Sequence, residues 1–320
     1  MNYRRLGKTE LMVSEIGIGT WSFGGPTLLG NVPIGWGDVD DNDSIETLQT
    51  CIDNGVNLVD TADNYGMGHS EEIVGKTIKG YRDKVILVSK GGNCEDANGN
   101  WIQRWDADYI RQAVENSLTR LQTDYLDLYL IHTPNPERGK FEFKAETFAI
   151  FEELKKEGKI LHYGYSANNS DDALKVIETG FCDVIQIVYN LLDRSPEKKL
   201  FPAAMKNDIG IMARVPLASG FLSGKFNRNT RFEANDHRVR LPVEEIEARV
   251  DRVDKLRALA EKSDQNLTQF ALRFCLTHEA VSTVIPGAKN SEQALKNIAA
   301  SDLGKILPEE LVQVEKLLAD

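Results

Sequence analysis

Four side chains that can exchange or donate protons lie near the ends of successive apolar segments of this 320-residue sequence: Asp60, Tyr65, Lys90 and His132. A free Tyr, with a pKa of about 10, is a poor acid at neutral pH. A Lys ammonium beside the phenol favours the phenolate and lowers the Tyr pKa, while an Asp keeps that Lys charged and oriented. A His can donate a hydrogen bond to a substrate oxygen. Together these groups suit the protonation of a carbonyl oxygen while a hydride reaches the carbonyl carbon.

Each of these residues also has an ordinary structural explanation. Asp60 could cap a helix, Lys90 could be a solvated surface charge, and His132, just before Pro134, could be a loop histidine with satisfied hydrogen bonds. Their occurrence at successive strand-like segments favours one shared site over separate structural roles.

Short apolar segments alternate with segments of helical period along the chain. The segments predicted as strands are 16–20, 57–60, 85–89, 126–131, 160–164, 184–188, 209–213 and 282–285. The segments predicted as helices include 43–55, with Asp43 and Ser44 as caps, 106–122, 145–158 and 170–180. Short buried strands that alternate with helices indicate a parallel sheet. Eight such units match a (β/α)8 barrel, because doubly wound sheets usually have about five or six strands.

The remaining segments complete the predicted fold class, which is an α/β (β/α)8 TIM barrel. Polar–apolar alternation in residues 1–14 predicts an N-terminal β-hairpin at the bottom of the barrel. Segments 21–43 and 214–245 exceed ordinary loop lengths, which is typical of functional loops. We place these long loops on the C-terminal face, where such barrels carry their active sites. Without linkers or low-complexity tracts, residues 1–320 are predicted to form a single domain.

Composition excludes several classes of function. The net charge of −11 argues against nucleic-acid partners and anionic membranes. No secretory signal and no apolar run of about 18 residues is found, which predicts a cytoplasmic protein without a membrane partner. The four cysteines are widely spaced, which indicates buried thiols and no metal site.

The sequence resembles the aldo-keto reductase family along essentially its full length. The motifs that carry the resemblance are YRRLGKTELMVSEIGIGTW, DTADNYGMGHSE, VSK and TDYLDLYLIHTP, followed by YGYSAN, IQIVYN, VPLASGFLSGK and IPGAKNSEQALKN. The resemblance implies a catalytic tetrad of Asp60, Tyr65, Lys90 and His132, with Tyr65 as the general acid and base. It also implies that Trp21 contacts the substrate together with Tyr65 and His132.

The resemblance further implies a nicotinamide cofactor bound without a Rossmann domain. We expect NADP(H), with NAD(H) as the alternative. Ser166 and Gln186 would hold the carboxamide, VPLASGFLSGK would wrap the pyrophosphate, and Lys289 would meet the 2′-phosphate before a helix that starts near Ser291. The cofactor residues implied by the resemblance are Thr20, Trp21, Asp60, Ser166, Asn168, Gln186, Arg214, Pro216, Leu217, Ser219, Gly220, Leu222, Lys225, Gly287, Lys289, Gln293 and Asn297.

The sequence departs from the family pattern at three places. Ala167 stands where many relatives have Asn, so Asn168 is expected to substitute in part. Arg214 stands where relatives commonly stack an aromatic ring on the nicotinamide; its guanidinium can stack too, or can bind an anionic substrate group. Lys289 is the single clear cation expected at the 2′-phosphate.

Other oxidoreductase patterns do not fit. GIGTWSFGG misses the GxGxxG spacing, because Ser22 takes the place of the third Gly. None of the nine tyrosines has a Lys four residues later, as short-chain dehydrogenases require, and no Cys/His ligand set is present. Two alternatives stay open: a non-catalytic accessory protein that senses the nicotinamide cofactor, and a phosphate-binding barrel lyase or isomerase.

The expected partner is a small carbonyl or alcohol substrate, whose identity the sequence does not give. Physiological direction and oligomeric state are equally unassigned. Residues in the rim loops that could line an apolar pocket, or could simply pack the loops, are Trp21, Trp36, Trp101, Trp105 and Phe221. Asn93 and Cys94, just after Lys90, are near enough to contact substrate.

Overall fold

The computed structural model describes residues 1–262 and 265–318, and a sheet of eight parallel strands forms the centre of this part of the chain. The strands are β1 (Ile18–Gly19), β2 (Leu58–Asp60), β3 (Ile86–Gly91), β4 (Leu126–His132), β5 (Ile160–Ser166), β6 (Val184–Val188), β7 (Gly210–Arg214) and β8 (Val281–Val284). They pair in chain order. The N–H groups of Gly17 and Gly19 donate to Val284 O (2.8 Å) and Pro286 O (3.1 Å), which joins β1 to β8. The barrel is therefore closed, and the predicted (β/α)8 fold is confirmed.

Helices surround the barrel. Those in the described residues are α1 (Asp41–Asp53), α2 (His69–Ile78), α3 (Ala107–Leu121), α4 (Ala145–Lys156), α5 (Ser170–Thr179), α6 (Leu200–Lys206), α7 (Val243–Lys262), α8 (Leu267–Thr277), α9 (Ser291–Ile298) and α10 (Pro308–Leu318). The predicted helices 106–122, 145–158 and 170–180 are confirmed as α3, α4 and α5. Within residues 1–262 and 265–318, no helix is both long and apolar enough to cross a bilayer.

Two apolar clusters explain why the strands read as continuous hydrophobic runs. Side chains such as Leu128, Val184 and Met212 fill the barrel interior, whereas a larger cluster lies between the strands and the helices. Every residue of β4 is buried, because both of its faces are covered. Cys51, Cys182 and Cys275 lie in the outer cluster, while Cys94 is half-buried, and all four are free thiols.

The N-terminal hairpin closes the bottom of the barrel, as predicted. Strands Tyr3–Arg5 and Met12–Ser14 pair antiparallel. Leu6 and Val13, both without exposed surface, join the interior cluster. Gly7 has a φ of 52°, and a Cβ at this position would lie 2.2 Å from Gly210 N, so the turn requires glycine.

The structure corrects the predicted start of α1. The helix begins at Asp41, and the carboxylate of Asp40 accepts hydrogen bonds from Asn42 N (2.7 Å) and Asp43 N (3.3 Å). The prediction of Asp43 and Ser44 as caps was wrong, because Asp40 adopts the extended conformation that lets its side chain reach the free N–H groups.

Four strands extend further than predicted at their carboxyl ends, and β7 is one of them because it includes Arg214. β3, β4 and β5 include Lys90, His132 and Ser166, so these side chains are fixed by sheet pairing rather than carried by the loops that follow. The long segment 21–43 contains a short antiparallel pair, Leu28–Leu29 with Val32–Pro33. The other long segment, 214–245, contains the helical turns Ala218–Ser223 and His237–Arg240.

A buried carboxylate ties α2 to the barrel. Glu71 has no exposed surface; its Oε1 accepts from Ser89 Oγ (2.5 Å) and its Oε2 from Arg120 Nε (2.7 Å). These contacts join α2 to β3 and α3. Because Tyr65 lies just before α2, the same contacts hold its loop against the barrel.

We expect Arg120→Met to lower the free energy of unfolding by about 3 kcal/mol, since it leaves the buried Glu71 carboxylate without its ion-pair partner. The matched control is Arg111→Met, which removes exposed pairs with Glu153 and Glu157 and should cost less than about 1 kcal/mol. Urea denaturation followed by circular dichroism measures both. Equal losses in the two variants would contradict a structural role for the Glu71 contacts.

Candidate active site

The carboxyl ends of β2 and β3 bring a carboxylate, an ammonium and a phenol together. Lys90 Nζ donates to Asp60 Oδ2 (2.9 Å), Thr61 O (2.7 Å) and Tyr65 Oη (3.1 Å). Lys90 is 0% exposed and Asp60 2% exposed. All three ammonium protons therefore have acceptors in a site from which water is excluded.

Asp60 connects this group to two further strands. Its Oδ1 accepts from Gln186 Nε2 (2.8 Å), and Gln186 Oε1 accepts from Ser166 Oγ (3.2 Å). Ser166 and Gln186 pair across β5 and β6. Tyr65, Lys90 and Asp60 thus form one continuous hydrogen-bonded series with the two residues predicted for a carboxamide, whereas the His132 side chain is not part of it.

A tight turn directs Tyr65 back over the barrel mouth. Gly66 and Met67 have φ values of 65° and 51°, and a Cβ at Gly66 would lie 2.4 Å from Gly24 O. This left-handed backbone costs energy at Met67, as is common where a chain holds a functional side chain. Trp21 stacks on Tyr65 with centroids 5.8 Å apart and planes at 19°. The His132 ring lies edge-on to Tyr65, also at 5.8 Å.

Burial sets the protonation of these groups. It raises the pKa of Tyr65 above its usual value; Lys90 opposes the shift and Asp60 adds to it. Lys90 lowers the Tyr65 pKa as expected, but burial, which the expectation left out, outweighs the ammonium and makes the net shift upward. At neutral pH the phenol carries its proton, the form that an acid needs.

His132 is neutral. Burial, Lys90 and Arg214 together hold its pKa well below the usual range. Its Nδ1 is buried without a hydrogen-bond partner in residues 1–262 and 265–318. A neutral imidazole beside Tyr65 can donate one N–H to a substrate oxygen without adding charge.

Arg214, the last residue of β7, lies on the Ser166 side of the mouth. Its Nη2 donates to Ala167 O (3.0 Å), while its buried Nε has no partner among the described residues. Asn168 is exposed, and its amide donates to Thr133 O (3.4 Å) and Pro134 O (3.2 Å). The amide of Asn168 is thus bonded to the loop after β4 rather than to Gln186.

Three cations meet between the two long loops. Buried Arg238 donates to Asp236 Oδ1 (2.9 Å), Asp236 Oδ2 (2.6 Å) and Ser219 O (3.0 Å). Burial lowers the pKa of Lys225, and the positive charges of Arg238 and Lys289 lower it further. Burial also lowers the pKa of Lys289, with Arg238 adding to the shift and Asp236 and Asp38 opposing it.

This cluster fits a phosphate better than a single Lys would. Three cations and two carboxylates leave one positive charge in excess, and the donors suit phosphate oxygens. That Lys289 is the single cation at the 2′-phosphate stays a prediction, but Arg238 reaches the neighbourhood of Lys225 and Lys289 from the loop 214–245. No periodic pattern links that loop to α9, so only its richness in Arg pointed to this contact.

The predicted adenine-side residues lie on α9 and contact the loop that precedes it. Lys289 Nζ donates to Trp36 O (2.6 Å) and Lys289 N to Gln293 Oε1 (3.1 Å). Asn297, 4% exposed, donates to Gly287 O (3.4 Å). These contacts connect the last phosphate loop to the loop after β1.

The VPLASG segment folds tightly, with φ values of 54° at Val215, 57° at Ser219 and 88° at Gly220. Pro216 is buried and Leu217 half-buried beside these residues, whereas Leu222 has no exposed surface. Thr20 is likewise fully buried and donates to Asp60 O (3.1 Å), so its side chain joins β1 to β2.

An aromatic wall flanks Tyr65. His237 packs on Trp21 at 4.7 Å and on Trp36 at 4.3 Å, and Trp21 Nε1 donates to Ile34 O (2.7 Å). His237 was not predicted, since it meets these rings only through the packing of two distant loops. Burial lowers its pKa to about 4, so the wall is uncharged at neutral pH.

The other aromatic candidates lie elsewhere. Phe221 is 1% exposed and packs on Phe226 at 5.1 Å, so it belongs to the core and not to a pocket. Arg138 stacks on Trp101 at 3.5 Å, and Trp101 Nε1 donates to Asn93 Oδ1 (2.9 Å). The Trp105 ring packs on Gly92, where a Cβ would lie 2.1 Å from it.

Asn93 Nδ2 also donates to His132 O (3.4 Å), whereas Cys94 lines a separate cavity of about 200 Å³ with Asp63 and Tyr109.

The sequence model of the Aldo/keto reductase family matches residues 15–319. The uncharacterized oxidoreductase YqkF of Bacillus subtilis (strain 168) is 33% identical over 317 residues, covering 97% of this chain and 94% of YqkF. The NADH-specific methylglyoxal reductase of Escherichia coli (strain K12) is 31% identical over 309 residues, 93% of each chain. A probable voltage-gated potassium channel subunit beta of Arabidopsis thaliana is 29% identical and covers 99% of this chain and 97% of that protein.

Solved structures match over the same length. The holo form of aldo-keto reductase AKR11C1 from Bacillus halodurans superposes with a TM-score of 0.79 at 31% identity, covering 99% of this chain and 96% of that one. An aldo/keto reductase from Klebsiella pneumoniae in complex with NADP and acetate gives 0.73 at 29% identity, with coverages of 99% and 95%. The similarity therefore extends along nearly the whole chain.

We expect kcat/KM for carbonyl reduction by this site to be nearly flat between about pH 6 and 8, because His132 is already neutral and Tyr65 still protonated there. Reduction should fall only at alkaline pH, as the phenol with its raised pKa loses its proton. Alcohol oxidation, which needs the phenolate, should rise with pH. A pH profile in both directions measures this. An inflection near pH 6.5 that disappears in His132→Gln would show instead that His132 titrates in this range.

Proposed function

Because the chain belongs to the aldo/keto reductase family, we propose that it reduces aldehyde or ketone carbonyls with NADP(H), or oxidises the corresponding alcohols, with Tyr65 as general acid and base. One observation carries the proposal: the ammonium of Lys90 is fully buried and donates to both Asp60 and Tyr65. A buried ion pair is costly, and joining it to a phenol makes little sense for stability alone. Perturbed groups of this kind cluster at reaction sites.

When bound, the reduced nicotinamide supplies the hydride. Tyr65 Oη gives its proton to the carbonyl oxygen, and Lys90, 3.1 Å away, stabilises the phenolate that remains. Asp60 keeps Lys90 charged in a site where burial would otherwise favour the neutral amine. The neutral His132 orients the carbonyl oxygen. Alcohol oxidation uses the same groups in reverse.

Cofactor binding divides into two regions. Ser166 and Gln186 hold the amide of the nicotinamide, since together they offer a donor and an acceptor. Lys225, Arg238 and Lys289 hold the phosphates, which favours NADP(H). The relative named as NADH-specific keeps NAD(H) as the alternative. The other cofactor contacts that we propose are Thr20, Trp21, Asp60, Asn168, Arg214, Pro216, Leu217, Ser219, Gly220, Leu222, Gly287, Gln293 and Asn297.

The substrate is proposed to be a small carbonyl or alcohol compound. The rings of Trp21, Trp36 and His237 beside Tyr65 favour an apolar group next to the reacting carbon. We also propose that residues 1–320 act as one domain, that the protein is cytoplasmic, and that nucleic acid and membranes are not partners.

A second candidate is a non-catalytic accessory protein that senses the cofactor, which the similarity to a potassium channel subunit beta favours. The complete set of Asp60, Tyr65, Lys90 and His132 supports the enzyme instead, because a sensor has no need of an acid held by a buried ion pair.

Tyr65→Phe tests the proposal. The ring remains against Trp21, so the dissociation constant for NADPH should change little, while kcat should fall by about 10²–10⁴-fold because the acid is lost. Fluorescence titration and cofactor absorbance with a panel of aldehydes, ketones and sugars measure the two quantities. The control Tyr3→Phe alters an exposed phenol and should retain full turnover. Near-normal turnover of Tyr65→Phe would reject the assignment, and a wild type that binds NADPH but never oxidises it would support the sensor.

Lys289→Ala tests the cofactor preference. A charge-assisted hydrogen bond contributes about 1.5–3 kcal/mol, so the dissociation constant for NADPH should rise about 10-fold or more while that for NADH stays almost unchanged. The NADPH effect should weaken at high salt. Lys296→Ala, on the exposed face of α9, is the control. Because Lys289 also donates to Trp36 O, equal weakening toward both cofactors would mean that it supports the loop.

A further inference from the structure

Arg214 brings a positive charge to the barrel mouth without a negative partner. Asp60 and Lys90 cancel each other as an ion pair, and Tyr65 and His132 are neutral. Across residues 1–262 and 265–318, no carboxylate lies within salt-bridge distance of the Arg214 guanidinium. Its hydrogen-bond partner is the backbone carbonyl of Ala167, and its buried Nε is unpaired. The reaction site therefore carries a net charge of about +1. Burying a charge without a partner costs free energy, unless the charge interacts with a bound ligand.

The guanidinium stands between the two halves of the site. Ala167 directly follows Ser166, so Arg214 adjoins the Ser166–Gln186 pair. It is also close enough to Tyr65 and Asp60 to shift the pKa of each. Under the proposed function, the Ser166–Gln186 pair holds the nicotinamide amide, and the group that contains Tyr65 and Asp60 faces the reacting carbonyl. A charge that adjoins both is close to the ring that gives up the hydride.

We propose that Arg214 makes this protein discriminate between the redox states of its cofactor, binding NADPH more tightly than NADP⁺. The inference rests on the proposed function and adds to it. The two cofactor forms share the same phosphates, riboses and adenine. They differ in the ring, which is neutral when reduced and carries a formal positive charge when oxidised. The phosphate-binding cations therefore attract both forms equally, whereas Arg214 repels the oxidised ring.

The effect should be large enough to measure. Two unit charges a few ångströms apart in a partly desolvated site interact strongly enough to shift a binding ratio by about 10- to 100-fold. For a two-electron couple, a tenfold change in the ratio corresponds to about 30 mV in the potential of the bound cofactor. The functional consequence is exchange: once the hydride has left, the spent cofactor is held less tightly and NADPH replaces it.

The test is the ratio of the dissociation constants for NADP⁺ and NADPH, measured by calorimetry on the wild type and on Arg214 variants. We expect the wild-type ratio to exceed about 10. Arg214→Met and Arg214→Gln, which are uncharged, should bring it toward 1, mainly by tightening NADP⁺. Gln can still donate to Ala167 O, so it serves if the Met variant does not fold. Arg214→Lys keeps the charge and should restore most of the wild-type ratio.

Lys225→Met is the matched control. It removes a cation proposed to meet the phosphates, which both cofactor forms share, so both dissociation constants should rise by the same factor and their ratio should not change. This separates a charge beside the ring from a general loss of positive charge.

An unchanged ratio in folded Arg214→Met and Arg214→Gln would overturn the inference while leaving the proposed function intact. If these variants also show a raised KM for 2-oxo acids but not for neutral aldehydes, Arg214 would be assigned to a substrate anion instead. A wild type that binds neither cofactor form would contradict the proposed function, and this inference with it.

Discussion

The structure of the mouth depends on one interaction, the ion pair between Asp60 and Lys90. Neither side chain has meaningful access to water, so every polar atom of the pair needs a partner inside the protein. Thr61 O and the Tyr65 hydroxyl accept the remaining Lys90 protons, and Gln186 donates to the second Asp60 oxygen. The requirement to satisfy one buried charge pair thus positions the phenol on one side and the Ser166–Gln186 pair on the other. The contacts that satisfy the buried charges of Asp60 and Lys90 are therefore the same contacts that set the geometry of the site.

The rest of the molecule fixes the position of this pair and excludes water from it. Adjacent strands β2 and β3 bring the two charges together, and their register is shared with β4 and β5 around the closed barrel. Above the mouth, the loops 21–43 and 214–245 meet through Trp36 and His237, which supports the ring that covers Tyr65. The excess positive charge divides into two parts. The cluster around Arg238 suits phosphate groups, and Arg214 stands apart from it beside the reacting groups.

Sequence reasoning predicted the barrel and the strand-end residues because both follow from local patterns. Apolar runs of strand length alternate with helical segments, and the carboxyl end of each parallel strand faces the same rim. The sequence therefore predicts that Asp60, Lys90 and His132 lie close together. Features that depend on contacts between distant segments could not be predicted from the sequence. Arg238 and His237 lie in a loop without periodicity and meet residues some 200 positions away. The net direction of the Tyr65 pKa shift depends on burial, which composition does not reveal.

We propose that the buried pair holds an acid that protonates a carbonyl oxygen while a hydride arrives from the cofactor. The most direct test follows the hydrogen itself. Wild-type protein would be incubated with NADPH deuterated stereospecifically at C4 and an aromatic aldehyde, and the alcohol would be examined by nuclear magnetic resonance. We expect one deuterium at the carbinol carbon, from only one of the two C4 positions. An alcohol without deuterium, or bound cofactor that reduces no carbonyl in a broad panel, would contradict it.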